Sequence, residues 1–321
     1  MPLRFTLRQL EYFVAVGEAG SIAEAAERVN VSSPSLSTAI SQLETEFGVQ
    51  LFIRQHAQGL SLTPGGRRFY VAAKAVLERG AALHDVASDI SEQVRGPIFV
   101  GCLVTVAPFV LPEIRKGFED ANPEVDFRQV EAHQDDLIRM LRRADIDAAL
   151  TYDLEIPQDV QFDPLVSLPP HALFAPDHPY AKRKSVSLKA LAEEPLVLLD
   201  LPASRDYFMA LFQAAGLQPN VLERTAHLPM VRSMVANGFG YGLLNVPSMN
   251  ADAPDGKPLR YVPLRDDARP VSLGLATMSS DRKSRIVTAF AEHCRARITQ
   301  DAAPGMSLLK GRSRPRPRSG R

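Results

Sequence analysis

The stretch from Ser21 to Phe47 leaves this chain the fewest options. Ser21 stands three residues before Glu24, the capping-box spacing in which a side-chain oxygen takes an orphan helix amide and a carboxylate reaches back. Ile22, Ala25, Ala26 and Val29 then recur at helical spacing, and the two alanines are small enough for a second helix to approach closely. Asn30 breaks the run. Ser32 or Ser33 can cap a second helix, with Pro34 in its first turn, where the missing amide hydrogen costs nothing. Leu36, Ile40, Leu43 and Phe47 fall at steps of four, three and four and share one buried stripe. Facing away or flanking that direction are Pro34, Ser35, Ser37, Thr38, Ser41, Gln42 and Thr45, none of them charged. A helix with such a face can enter the major groove of DNA. No acid lies between Glu27 and Glu44 or between Glu46 and Glu78, while Arg54, Arg67, Arg68 and Lys74 occupy the second gap. Phosphate is not repelled there.

Beyond this pair, Leu51-Phe-Ile leads to Arg54, a polar turn runs through His56 to Gly59, and Leu60-Ser-Leu follows. Two short apolar runs about a glycine-containing turn predict a hairpin, the wing of a winged helix. Arg54 and His56 at its tip are candidate phosphate or minor-groove contacts, a solvated turn being the alternative. Thr63 and Pro64 open a further helix. Phe69, Ala73, Val76, Gly80, Leu83, Ala87, Ile90 and Val94 follow at alternating steps of four and three, a heptad seam. From Pro64 to Val94 such a helix would run for about 46 Å. Packing on its own domain is one use for the seam. Globular helices are usually shorter, so a second copy of the chain is the partner expected, met through Phe69, Val76, Leu83 and Ile90.

Arg95-Gly96-Pro97 marks a boundary, and the pattern then changes to short apolar runs alternating with helical ones. Strands are expected near 98–103, 125–130, 146–151, 172–175, 196–199, 221–225, 241–245 and 271–277. Helices are expected near 107–118, 135–143, 206–215, 229–236 and 281–298. This alternation indicates βαβ units and a mainly parallel sheet. Ligands in open α/β sheets sit beyond the carboxyl ends of strands, where helix starts offer unpaired amides. That geometry singles out Thr105 and Val106, Thr151, Ser204 beside Arg205, His227 and Asn245. Each has a plainer alternative as a cap, a surface ion-pair member or a satisfied loop residue. Arg205 would suit a carboxylate, so a small organic anion is the ligand expected.

The run Leu7-Arg-Gln-Leu-Glu-Tyr-Phe, then Gly20-Ser-Ile-Ala-Glu-Ala-Ala-Glu-Arg, Ser32-Ser-Pro-Ser-Leu-Ser, Gln42-Leu-Glu, Phe47-Gly-Val-Gln-Leu-Phe and Leu62-Thr-Pro-Gly-Gly resembles the LysR-type transcriptional regulators. The match is dense over roughly the first 66 residues and looser to about residue 300. It implies an all-α winged helix-turn-helix domain (1–63), a linker and dimerisation helix (64–95) and an α/β effector-binding domain (96–300). The last would comprise two lobes of the periplasmic-binding-protein type, lobe I 96–166 with 268–300 and lobe II 167–267, crossing near Ser167 and Asp267. DNA contacts would fall on Ser32, Ser33, Pro34, Ser35, Ser37, Thr38, Ser41 and Arg54. The partners implied are promoter DNA, a small-molecule effector, a second copy through the linker, a dimer of dimers and RNA polymerase. Family members often carry Gln before the proline and Arg-Gln after the third serine, where this chain has Ser33, Thr38 and Ala39. The operator sequence therefore does not carry over.

Composition limits the alternatives. Lys plus Arg equals Asp plus Glu at 37 each, so total charge names no partner. Residues 1 to 95 carry 9 basic and 10 acidic side chains, and a favourable field there must come from local clustering. The two cysteines, Cys102 and Cys294, lack a Cys or His at metal-binding spacing and read as buried apolar residues. No metal or cofactor is expected. The absence of a signal-peptide core or a long apolar run predicts a cytoplasmic protein without membrane contact. There is no Gly-x-Ser-x-Gly, His-Glu-x-x-His, P-loop or Gly-x-Gly-x-x-Gly. An enzyme with a fused DNA module, or a cytoplasmic ligand receptor without DNA function, is the alternative reading. From Pro304 to Arg321 the chain alternates Arg with Pro, Ser and Gly, and 301–321 is expected to be a disordered basic tail.

Overall fold

The computed structural model describes residues 4–55, 59–91, 93–266, 268–279 and 283–307, and the chain divides into two units, Met1–Gln93 and Val94–Arg321. In the first unit, helix starts follow hydroxyl caps. Thr6 and Gln9 form a complete capping box for α1 (Leu7–Ala19), and Ser21 caps α2 (Ile22–Arg28). Of the two bonds expected between Ser21 and Glu24, the structure shows the one from the Glu24 amide, at 3.5 Å. Asn30, at φ 53°, turns the chain. Ser32 then caps α3 (Ser33–Phe47), and Gly48 closes it in the left-handed region. Leu36, Ile40 and Leu43 are buried, packing with Phe13, Val16 and Ala25. Phe47 is partly exposed but packs edge-on against Phe69, with ring centroids 4.8 Å apart.

The strands β1 (Phe52–Gln55) and β2 (Gly59–Leu62) pair antiparallel, Phe52 opposite Leu62. The Glu44 carboxylate accepts the Leu51 amide at 2.7 Å and that of Phe52 at 3.3 Å, tying this hairpin to α3. The Thr63 hydroxyl oxygen accepts the Gly66 amide at 2.8 Å, at the start of α4 (Pro64–Ser91). Its 28 residues span about 42 Å.

The seam expected along α4 divides. Phe69 and Ala73 pack into the core of their own unit, and the neighbouring Tyr70 hydroxyl donates to Glu18 at 3.1 Å. Val76 and Leu83 are 41% and 67% exposed. The side chain of Ile90 lies outside the described residues. The described helix runs to Ser91, and Val94 packs on the core of the second unit.

In the second unit β3 (Gly96–Leu103), α5 (Ala107–Ala121), β4 (Val125–Ala132), α6 (Gln134–Arg142) and β5 (Ala148–Tyr152) form βαβ units in which β4 and β5 pair parallel to either side of β3. Strand β6 (Val160–Leu168) leads into a second lobe. This contains β7 (His171–Phe174), α7 (Leu188–Ala192), β8 (Pro195–Leu199), α8 (Pro202–Ala214), β9 (Asn220–Thr225), α9 (Leu228–Ala236), β10 (Gly242–Leu244) and β11 (Arg260–Pro263). The chain returns through β12 (Val271–Met278), antiparallel to both β5 and β6, and ends with α10 (Arg285–Arg297). Sheet order in the first lobe is β4-β3-β5-β12-β6. In the second lobe β10-β7-β11 pair antiparallel, β8 and β9 pair parallel, and a bridge from Leu196 to Tyr241 links the two sets.

Three elements escape the sequence pattern. Strand β6 holds Asp163 and Pro164 and faces a register shift in β12, β11 has four residues ending in proline, and α7 has five. Helix α8 begins at Pro202 rather than near Asp206.

The crossings are clamped from the second lobe. Tyr207 on α8 donates its hydroxyl to the Arg269 carbonyl at 2.6 Å, while Asn245 donates to the Leu168 carbonyl at 3.1 Å. A further connection corrects the expectation of disorder from residue 301. Ala303, Pro304 and Met306 are buried, Ser307 donates its amide to Pro247, and Met249 donates to the Gly305 carbonyl at 3.0 Å. Gly305, at φ 65°, also lies against the backbone of Phe109, where an added Cβ would stand 2.6 Å from the carbonyl oxygen. The strap thus touches α5 of one lobe and the loop after β10 of the other. Its apolar residues have a groove to fill, which composition alone could not reveal. Residues 308–321, with most of the basic tail, lie outside the described residues, as does Asp267.

Candidate functional site

The first unit presents one face of α3. Ser32, Pro34, Ser35, Thr38 and Ser41 are exposed, and Ser33 and Ser37 are half-buried at its side. Ser32 and Ser35 share a hydrogen bond of 2.7 Å. The Thr38 hydroxyl donates to the Pro34 carbonyl at 2.9 Å, so its oxygen lone pairs and methyl group remain for a base edge. Gln9 donates to Gln42 at 2.7 Å, and with Arg4 and Thr45 these side chains line a shallow groove along the helix. Arg4 precedes the first helix and Gln9 lies in its first turn, where no periodic signal singled them out. Arg67 and Arg68 are exposed at the start of α4. Arg54 lies on β1 with its side chain outside the described residues, and His56 lies outside them altogether.

The second unit has a cleft where helix starts converge. Thr6, Ser21, Ser32, Thr63, Ser187 and Ser284 each hold a helix-start amide. In contrast α5, α6, α8 and α9, which follow β3, β4, β8 and β9, begin at Val106, His133, Leu201 and His227 with no side-chain cap. Their first amides have no intrahelical partner and carry the positive end of the helix dipole. The starts of α6 and α8 face the end of β3 across a narrow cleft of about 20 Å³, lined from the first lobe by Leu103, Thr105 and Asp135 and from the second by Leu201, Ala203 and Ser204. Thr105 is 6% exposed, and its buried hydroxyl lies within reach of a hydrogen bond with Tyr152. The phenol of Tyr152 is its neighbour, and burial raises that phenol above the ordinary tyrosine range.

Of the residues singled out from sequence, Thr105 and Ser204 meet in this cleft and the others are placed elsewhere. Val106 is a core residue at 0% exposure. Thr151 is likewise buried and donates to Gln134 at 3.1 Å, and Gln134 in turn donates to the Leu154 carbonyl. Gln134 lines the cleft, so Thr151 positions it from behind. Arg205 pairs with Asp200 at 3.1 Å and Asp206 at 2.9 Å and does not line the cleft. His227 is exposed at the start of α9 and does not line the cleft. Asn245 is committed to the crossing at Leu168, with the Tyr207 hydroxyl 3.4 Å away. His133, Gln134, Asp135 and Ala203 were missed because their strands and helices, far apart in sequence, meet only in the fold.

Among the described residues no three His, Cys, Asp or Glu side chains form a group that could hold a metal, and no helix is long and apolar enough to cross a membrane. Comparison with known proteins agrees with this two-part construction. Residues 7–67 match the bacterial regulatory helix-turn-helix protein family of lysR type, and residues 91–299 match the LysR substrate binding domain. The hydrogen peroxide-inducible genes activator of Dickeya chrysanthemi is 33% identical over 239 residues, 74% of this chain and 78% of that protein. HinK, a LysR family transcriptional regulator from Pseudomonas aeruginosa, is 36% identical with a TM-score of 0.62, covering 92% of this chain and 99% of its own. An H2O2-bound cysteine mutant of Corynebacterium glutamicum OxyR superposes with a TM-score of 0.61 at 27% identity, over 92% of this chain and 93% of its own. This chain belongs to the LysR family: it is a helix-turn-helix DNA-binding transcriptional regulator with an effector-binding domain.

Proposed function

We propose that the chain acts as a homodimer, joined along α4 through Val76, Leu83 and Ile90, and reads its operator with the Ser32 to Ser41 face of α3. A small molecule in the cleft between the lobes sets how the two faces engage DNA. The observation that carries this reading is the contrast in helix caps. Away from the cleft every helix but α9 is hydroxyl-capped, while α5, α6 and α8 leave their starts uncapped about the end of β3. Two such dimers in a tetramer, RNA polymerase at the promoter and action in the cytoplasm belong to the same reading.

The signal we infer is a bound molecule and not thiol oxidation, although several relatives are named for induction by hydrogen peroxide. The chain's two cysteines lie at 0% exposure in the second unit, and burial raises both thiols far above their ordinary range. Neither can supply the thiolate that peroxide chemistry needs.

Base readout is tested by substitution at the exposed face. Thr38→Ala is expected to change preference among operator variants by about 1 to 3 kcal/mol at the contacted position. Arg68→Ala should weaken all sequences alike and lower the salt slope by about one unit. Competition binding over a set of single-base operator variants separates the two patterns. A uniform loss for Thr38→Ala would move base reading off this face.

A further inference from the structure

We propose that Gln42 reads the operator as a hydrogen-bond donor, preferring guanine at one position, and that Gln9 is the positioning residue that fixes which end of its amide faces DNA. This inference rests on the Ser32 to Ser41 face of α3 being the one that enters the groove, and adds a reader one turn beyond Thr38. A glutamine is ordinarily ambiguous, since its amide carries an acceptor at one end and two donors at the other, and either end can face a base. Here a backbone amide removes the choice.

The chain of bonds starts at Thr6. Its backbone N–H can only donate, and it donates to Gln9 Oε1 at 2.8 Å as one half of the capping box that opens α1. The oxygen of Gln9 is thereby held at the helix start, which leaves its Nε2 for another partner. That nitrogen donates to Gln42 Oε1 at 2.7 Å. The nitrogen of Gln42 in the same place would set donor against donor, so Gln42 is held with its oxygen toward Gln9 and its Nε2 away from it. Among the described residues this Nε2 has no partner.

The neighbours of Gln42 present the opposite character. Gln42 is exposed and lines one groove with Thr38, Ser41 and Thr45, and the four stand at the i, i+3, i+4 and i+7 places that share a stripe of a helix. Both threonines direct their hydroxyl hydrogens to their own helix, Thr38 to the Pro34 carbonyl at 2.9 Å and Thr45 to that of Ser41 at 2.8 Å. They offer oxygen lone pairs and methyl groups, and Gln42 sets a pair of donors between them. In the major groove guanine presents two acceptors, N7 and O6. Adenine presents one acceptor beside an amino donor, thymine one acceptor, and cytosine an amino donor. A glutamine free to turn pairs with adenine through both ends of its amide. With its oxygen engaged by Gln9, the donor end meets guanine best.

The test uses the full chain in competition binding over the single-base operator variants. The parent is expected to favour guanine over adenine about 5- to 150-fold at one position, and Gln42→Ala should erase that preference while leaving those at other positions in place. Gln9→Glu tests the positioning role. A glutamate keeps the capping box, because its carboxylate still accepts the Thr6 amide, but it cannot donate to Gln42. The Gln42 amide should then turn its Nε2 to the new carboxylate and its oxygen to the groove, and the preferred base at that position should change from guanine to adenine or cytosine. The added charge weakens all sequences alike, so the preference stays readable. Gln9→Ala, which frees the amide, should bring guanine and adenine close together there and gives a second reading if Gln9→Glu fails to fold. A parent that prefers adenine or cytosine, an unchanged pattern in Gln42→Ala, or guanine retained in the Gln9 variants would overturn the proposal, and a preference still altered by Thr38→Ala would keep the face itself. Uniform losses for both Thr38→Ala and Gln42→Ala would overturn the face and the proposal together.

Discussion

Replacing Leu83 by Glu is expected to leave the protein monomeric at micromolar concentration and to lower operator affinity about 100- to 10,000-fold, the loss that follows when two linked contacts become one. Leu83 is 67% exposed and Val76, one heptad earlier, 41% exposed, on a helix of 28 residues whose preceding seam positions are already used within their own unit. In a dimer the new carboxylate would be buried without a partner. Val71, 69% exposed, lies about 140° around the helix from Val76, and Val71→Glu should stay dimeric. Sedimentation and operator titration of the two variants give the comparison. A dimeric Leu83→Glu with normal operator affinity would remove the seam from the account.

The second large effect is expected at two adjacent glycines of the turn into α4. An alanine Cβ at Gly66 would stand 2.1 Å from the Leu51 carbonyl oxygen, an atom fixed by the bond that Thr63 donates from its amide to that same oxygen. Gly66→Ala must displace either the hairpin or the helix. It should cost about 3 kcal/mol or more, enough to unfold much of the first unit. At Gly65 the same addition meets the Val49 side chain at 3.1 Å, which can turn aside, and the Thr63 hydroxyl at an ordinary 3.6 Å. Urea denaturation of the two alanine variants should therefore differ sharply, with Gly65→Ala near the parent. DNA binding should follow the same order. Equal stability of the two would mean that the Thr63 to Gly66 turn does not hold the hairpin as described.

What could be read in the sequence follows from the range of the interactions. Caps and periodic stripes act within a few residues, so Ser32, Pro34, Leu36 and Leu43 announced α3 before any tertiary contact was known. The cleft is built differently. Thr105 and Ser204 could be named because each follows a strand, but their meeting depends on two lobes folding together. Arg205 and Asn245 looked equally suitable, and the fold gives each a partner: nearby Asp200 and Asp206 for the first, the distant Leu168 for the second. Asp135 read as an ordinary helix start and lines the cleft. The strap through Ala303 and Met306 has the composition of a tail, and only the groove it fills gives it a structure.

The most direct test of the account is operator binding by the full chain with and without a deproteinised small-molecule extract of the cells that express it, for the parent and for Ala203→Trp, which fills the cleft. If a ligand in the cleft sets how the paired helices engage DNA, the extract should shift the parent's operator affinity about 5- to 150-fold, the usual scale of coupling between sites. Ala203→Trp should give one isotherm whether or not extract is present. Identical shifts for parent and variant would contradict a ligand in this cleft, and no shift in the parent would contradict effector control of DNA binding.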